Sequence, residues 1–137
     1  MRTTKVVLDT NVFVSAAVIK KSSSVIIEMW KNDEFTLLFS PDIFDEYFEV
    51  IARPKFRQDE KDIRELAKLL TERAVVVEPQ IQLDVVKDDP DDNKFLECAV
   101  EGKADFIISG DHHLLNIKEY EQIKILTIAQ FIKQIHK

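Results

Sequence analysis

Val6-Val7-Leu8-Asp9 and, far along the chain, Phe106-Ile107-Ile108-Ser109-Gly110-Asp111 share one design: a short apolar run followed closely by an acid. Runs of this kind read as buried strands of a parallel sheet. In open α/β sheets, ligands bind in the crevice outside the carboxyl ends of the strands. Two acids from distant parts of the sequence are therefore delivered to the same edge of one sheet. Carboxylates are the natural ligands of hard divalent cations, so the pattern points first to a metal site.

Outward from these two runs, strand and helix signals alternate. Phe13–Val18 is an apolar segment able to start a helix, and Ser22-Ser23-Ser24 supplies N-cap candidates for a helix to about Asn32. Phe35–Phe39 reads as the second strand. Ser40-Pro41 then provides the cap and first position of a helix to about Ala52, which Pro54 stops. Gln58–Arg73 is a charged amphipathic helix and Val75–Val77 a third strand. Asp89-Pro90 opens a helix through Glu101, and Gly102 suits the left-handed residue that closes it. Phe106–Ser109 and Lys124–Leu126 complete the strands, and Thr127 caps a last helix. The alternation predicts a single α/β domain over residues 1–137, a three-layer sandwich with about five mostly parallel strands.

Composition sets the bounds. A chain of 137 residues can bury a core without disulfides or a structural metal. Its single cysteine, Cys98, excludes an internal disulfide and a cysteine-rich zinc site, and fits a reducing cytoplasm. The start, Met1-Arg2-Thr3-Thr4, carries no apolar signal core, and no run approaches the roughly 20 apolar residues needed to span a bilayer. A net charge of -6 argues against a protein that simply coats nucleic acid. The charge is unevenly spread, however. Asp84, Asp88, Asp89, Asp91 and Asp92 crowd one stretch, whereas Arg53, Lys55 and Arg57 form a basic one. That is the division a metal-dependent nuclease needs, and it is also what a solvated loop and a helix-ending turn look like.

Each acid has a structural alternative. Asp9 and Asp111 are well placed as helix N-caps, and Asp92 suits the macrodipole of a first helical turn. Asp89 and Asp91 match Asp92 on position alone. In the helix after Pro41, Glu46 flanks the apolar face on one edge and Asp45 on the other, so periodicity does not choose between them.

Four segments resolve the choice. Val7-Leu8-Asp9-Thr10-Asn11-Val12 with Ser15-Ala16, Arg53-Pro54-Lys55-Phe56, Asp92-Asn93-Lys94-Phe95-Leu96-Glu97-Cys98-Ala99, and Ala104 to Asp111 resemble, in order and spacing, the PIN domain. The match is to its VapC-like branch, the toxins of toxin–antitoxin systems, and extends over essentially the whole chain. The resemblance implies a five-stranded parallel sheet ordered 3-2-1-4-5, and a catalytic site of Asp9, Glu46, Asp92 and Asp111. It implies Mg²⁺ or Mn²⁺, with Asp9 and Asp92 the most direct ligands, Asp111 completing the shell, and Glu46 binding a second ion or orienting water. It also implies a ribonuclease leaving a 5′-phosphate and a 3′-hydroxyl, a small antitoxin protein as partner, and a homodimer or larger assembly.

Around this site Asn11 and Ser15 are candidates to bond Asp9 or a phosphate, Ser109 to orient Asp111, and Arg53 and Lys55 to meet the RNA backbone. His112 and His113 read as turn residues without the spaced partners a zinc site requires. Cys98 and Trp30 read as core. Two other classes compete. A haloacid-dehalogenase-type phosphotransferase needs a second acid where Asn11 stands. A solitary or non-catalytic PIN-like protein would keep the fold, bind or process RNA, and have no antitoxin.

Overall fold

A computed structural model describes residues 3–19 and 24–136 of the chain. Ser22 and Ser23, two of the expected helix caps, lie outside the described residues. The central sheet contains β1 (Lys5–Leu8), β2 (Thr36–Phe39), β3 (Val75–Val76), β4 (Phe106–Ile108), β5 (Glu119–Tyr120) and β6 (Ile123–Leu126), in the order β3-β2-β1-β4-β6-β5. Five of these strands run parallel in the expected order. The sixth, β5, corrects the expected count: it pairs antiparallel with β6 at the edge. Glu121 and Gln122 join the two with φ of 49° and 73°. A tight hairpin demands positive φ at both central residues, and neither residue type announces it.

Val6, Val7 and Leu8 are fully buried, as are Ile107 and Ile108 beside them. A strand covered on both faces needs apolar side chains at every position, which explains the unbroken runs. The register sets Val6 between Leu37 and Phe106, and Val7 between Leu38 and Ile107. Alternation along the strands therefore sorts these residues into two faces. On one, Phe131 of α7 (Ile128–Ile135) meets the rings of Phe35 and Phe106 edge-on at 5.6 and 5.5 Å. On the other, α5 (Asn93–Gly102) crosses β1, β2 and β4.

The remaining helices are α1 (Thr10–Val14), which runs into a π-helical turn at Ser15–Ile19, α2 (Ser24–Lys31), α3 (Pro41–Ile51), α4 (Glu60–Arg73) and α6 (His112–Leu115). Capping follows the sequence. Ser40 accepts from the Ile43 N–H, and Thr127 forms a reciprocal capping box with Gln130. Trp30 and Cys98 are buried, as core residues should be. Among the described residues no helix is long and apolar enough to cross a membrane.

Between β3 and a 3-10 turn at Pro90–Asp92, just before α5, the chain runs without regular structure. Three residues spaced four apart on α5 secure it: Glu101 accepts from the Gln80 N–H at 2.8 Å, Glu97 from Leu83 at 2.9 Å, and Asn93 from Val85 and Val86, both at 2.9 Å. Positions four apart share one helical face, so α5 supplies a row of acceptors that a neighbouring strand would otherwise provide.

Gly102 departs from its expected role. It is the last residue of α5, and the left-handed position belongs to Lys103, with φ of 56°. What Gly102 provides is room. A Cβ there would stand 2.7 Å from Leu38 Cδ1 and 3.0 Å from Val77 Cγ2. Gly102→Ala should destabilise the protein by about 1–3 kcal/mol through overpacking, despite alanine's better helix propensity. Denaturant midpoints measure this, and a variant at least as stable as the native chain would show that α5 can shift away from the sheet.

Candidate functional site

Asp9 follows β1 and caps α1: its Oδ1 accepts from the Val12 N–H at 2.8 Å. Asp111 follows β4 and caps α6, accepting from the His113 N–H at 2.9 Å. The two acids that the sequence reading put forward as ligands are therefore also the N-caps of their helices. Ser109 joins them. Its hydroxyl donates a short hydrogen bond to Asp9 Oδ2 and accepts from the Asp111 N–H at 2.9 Å. Ser109 is 1 % exposed and Asp9 4 %, so this contact fixes both acids from beneath.

Asp92 arrives from the other side. Pro90–Asp92 forms a single 3-10 turn before α5 begins, rather than the first turn of the expected continuous helix. Asn93 ties that turn down: besides accepting from Val85 and Val86, it donates to Val86 O at 3.3 Å and to Pro90 O at 2.9 Å. With Asn93 buried and fully engaged, Asp89 and Asp92 are carried to the edge where Asp111 stands. One carboxylate oxygen from each of Asp89, Asp92 and Asp111 lies within 4.8 Å of the others. Position along the sequence left Asp89, Asp91 and Asp92 equal. In the fold Asp89 and Asp92 join Asp111, whereas Asp91 pairs with Lys94 at 3.1 Å.

Glu46 projects from α3 into the same cleft. Its Oε2 accepts a short hydrogen bond from the Thr10 hydroxyl, and its Oε1 meets Lys94 Nζ at 2.7 Å. The neighbouring Tyr47 fixes this part of α3. Its buried ring stacks on Phe13 at 4.1 Å, and its hydroxyl donates to Leu8 O at 2.5 Å. The result is an open cleft of about 340 Å³ lined by Asp9, Thr10, Asn11, Glu46, Asp89, Asp91, Asp92 and Asp111, with Glu49 and Arg53 at its side. Arg53 pairs with Glu49 at 3.0 Å. Lys55 and Ser15 are not among the lining residues: Lys55 lies 5.1 Å from the Phe56 ring, and Ser15 begins the π-helical turn.

Among the described residues Asp111, His112 and His113 also bring one ligand atom each within 4.8 Å, three consecutive residues rather than the spaced set of four that a structural zinc site uses. His112 is largely exposed, as a turn residue should be. Thr10, Tyr47, Asn93 and Lys94 were not singled out by sequence. Their roles depend on which elements meet: Thr10, Asn93 and Lys94 lay inside recognised motifs without being marked there, and Tyr47 lay outside them.

Crowding shows in the proton affinities. Burial raises the Asp9 carboxyl, offset by the Ser109 hydroxyl and by the Val12 and Gly110 N–H groups. Asp92 is pushed up to about 8, first by burial, then by its hydrogen bond with Asp111 and the charges of Asp89, Asp111 and Asp9. For Asp111 burial works upward, but the His113 N–H, the Asp92 hydrogen bond and the two histidines bring it below the usual value. Asp92 Oδ2 is buried without a hydrogen-bond partner among the described residues. A buried acceptor in that condition is costly unless something satisfies it. A divalent cation, with its preference for oxygen ligands, fits this set of donors.

The sequence profile of the PIN domain matches residues 5–113. The chain belongs to the PIN domain family. This PIN domain is 30% identical over 145 residues to the uncharacterized protein MJ1680 of Methanocaldococcus jannaschii, covering 97% of this chain and 92% of that relative. Among solved structures, it is similar to a chain of the crystal structure of VapBC2 from Rickettsia felis bound to a DNA fragment from their promoter. That likeness has a TM-score of 0.58 at 15% identity and covers 88% of this chain and 96% of the other. It is a likeness of fold.

The raised value of Asp92 has a thermodynamic consequence. A group more basic folded than unfolded takes up a proton on folding, so its stabilisation is complete below the unfolded value and lost as pH rises through about 8. Asp91 and Asp111 are lowered and carry the opposite sign, but their contribution is lost on the acid side. The ion-free PIN domain should therefore melt at lower temperature as pH is raised from about 6 to about 9, and added Mn²⁺ should remove the loss. Calorimetry with chelator and with Mn²⁺ decides this; ion-free stability rising across that window would contradict it.

Proposed function

We propose that this PIN domain is a Mg²⁺- or Mn²⁺-dependent endoribonuclease and the toxin component of a toxin–antitoxin pair. PIN domains are generally nucleases. The observation that carries the reading is the buried, unpartnered Asp92 Oδ2 inside a group of carboxylates at the carboxyl edge of the sheet. Asp9, Asp92 and Asp111 would hold the ion, and Asp89 is near enough to share in it. When bound, such an ion lowers the pKa of water and stabilises charge developing on a phosphodiester.

The chain's own residues prepare that reaction. Ser109 holds Asp9 and Asp111 in a fixed relation, so that little reorganisation accompanies binding. Asn93 does the same for Asp89 and Asp92. Glu46 stands across the cleft, where a carboxylate can orient an attacking water. Asn11 and Arg53 line the approach. Arg53 is half exposed beside Glu49 and can exchange that partner for a backbone phosphate, with Lys55 of the same turn adding charge. RNA is the substrate this reading assigns, with a 5′-phosphate and a 3′-hydroxyl as products.

The fold likeness to a VapBC2 chain supports an antitoxin as partner. A cytoplasmic location and a homodimer or larger assembly complete the proposal, with residues 1–137 forming a single nuclease domain.

Cleavage of a mixed RNA panel tests the reading. Native protein should cut with Mn²⁺ or Mg²⁺ and not with chelator. Asp92→Asn should slow cleavage by at least about a hundredfold, or roughly 2.7 kcal/mol of barrier. Full activity in Asp92→Asn would remove Asp92 from the ion's shell, and no cleavage by the native protein would favour a non-catalytic RNA-binding role. Arg53→Ala should weaken RNA binding without sequence preference and make it less salt-dependent. An unchanged salt dependence would take Arg53 out of the interface.

A further inference from the structure

Seven carboxylates line the cleft; Glu49 pairs with Arg53 at its side, and the other six divide into two sets. Asp89, Asp92 and Asp111 converge, with Asp9 beside them. Glu46 and Asp91 are bridged instead by Lys94, whose ammonium lies 2.7 Å from Glu46 Oε1 and 3.1 Å from Asp91 Oδ1. The Lys94 side chain is only 14% exposed, against 70% for Asp91. A surface lysine pairs weakly and mobilely, whereas this one is enclosed between α3 and the first turn of α5. The other oxygen of Glu46 is held by the Thr10 hydroxyl. Glu46 thus has an ammonium on one oxygen and a hydroxyl on the other, while Asp92 Oδ2 has no hydrogen-bond partner among the described residues.

Building on the metal-site reading above, we propose that Lys94 is a positioning residue whose ammonium takes the place beside Glu46 that a second divalent ion would occupy. The cleft then binds one ion, at Asp92 and Asp111, and Glu46 is kept as a fixed, metal-free carboxylate. The physical ground is simple. Mg²⁺ and Mn²⁺ need several oxygen ligands, and a site at Glu46 would draw on Glu46 and Asp91, the two acids that Lys94 already joins. A divalent ion there would also lie a few ångströms from a poorly solvated ammonium, and like charges in a partly buried place repel strongly. Across the cleft, among the described residues, no lysine or arginine pairs with Asp89, Asp92 or Asp111; the basic neighbours there are His112 and His113, with His112 Nδ1 4.0 Å from Asp111.

Removing the ammonium should open the second site. Mn²⁺ titrations of the full chain, followed by calorimetry and by the electron paramagnetic resonance of free Mn²⁺, give stoichiometry without any reference to RNA cleavage. Native protein should bind one Mn²⁺ per chain and Lys94→Met two. Lys94→Arg should retain one, since the guanidinium restores the charge, and Lys94→Met combined with Glu46→Gln should return to one. Two ions on the native protein, or one on Lys94→Met, overturns the role of Lys94. Should Lys94→Met fail to fold, Lys94→Gln replaces it, and the native stoichiometry alone still discriminates. Native protein that binds no Mn²⁺ overturns both this inference and the metal-site reading. Two ions together with RNA cleavage leaves the nuclease standing and removes only Lys94's role.

Discussion

The hydroxyl of Ser109 spans the ends of two strands that meet only in the folded sheet. It donates a hydrogen bond to Asp9 after β1 and accepts one from the N–H of Asp111 after β4. The acidic group is built around this contact, because it commits two acids to one place in a largely buried setting. Carboxylates so placed repel one another, and burial makes the repulsion stronger. The neighbourhood is organised to contain it. Backbone N–H groups of Val12 and His113 take one oxygen of each acid, so the caps of α1 and α6 are also supports for the site. Asp92, pushed up first by burial and then by its acidic neighbours, holds its proton more tightly than an ordinary carboxyl.

The surrounding fold serves the same end at longer range. The row of acceptors Glu101, Glu97 and Asn93 on α5 leads the irregular crossover from β3 down to the Pro90 turn. Tyr47, bonded to the last carbonyl of β1, fixes the part of α3 that bears Glu46. Lys94 then links α3 to α5 across the cleft. Helices from three parts of the chain are thereby referred to the end of a single strand. This rigidity is what a metal site requires, since ligand geometry is set by the groups behind the ligands.

Much of this was legible beforehand. The buried strands announced themselves as apolar runs, and Ser40 and Thr127 marked helix starts by well-understood chemistry. Asp9 and Asp111 were found by position alone, whereas Glu46 and Asp92 needed the family resemblance. The misses have physical causes. β5 is two residues long and turns through Glu121 and Gln122, neither of which is a turn residue by type. Gly102 was read as a backbone device, but the constraint on it comes from Leu38 and Val77, distant in sequence. Lys94 followed two acids in a charged stretch, and nothing local distinguishes a lysine enclosed between helices from one in water. Asn93 was unremarkable until the loop it binds was in view.

The account stands on the claim that the acids at the ends of β1 and β4, joined by Asp92, form a divalent-ion site. A crystal grown with Mn²⁺ and measured at the manganese absorption edge tests this most directly. The account predicts one anomalous peak in contact with the carboxylates of Asp92 and Asp111, with Lys94 still on Glu46. No peak in the cleft, or a peak on Glu46 with Lys94 displaced, would contradict it.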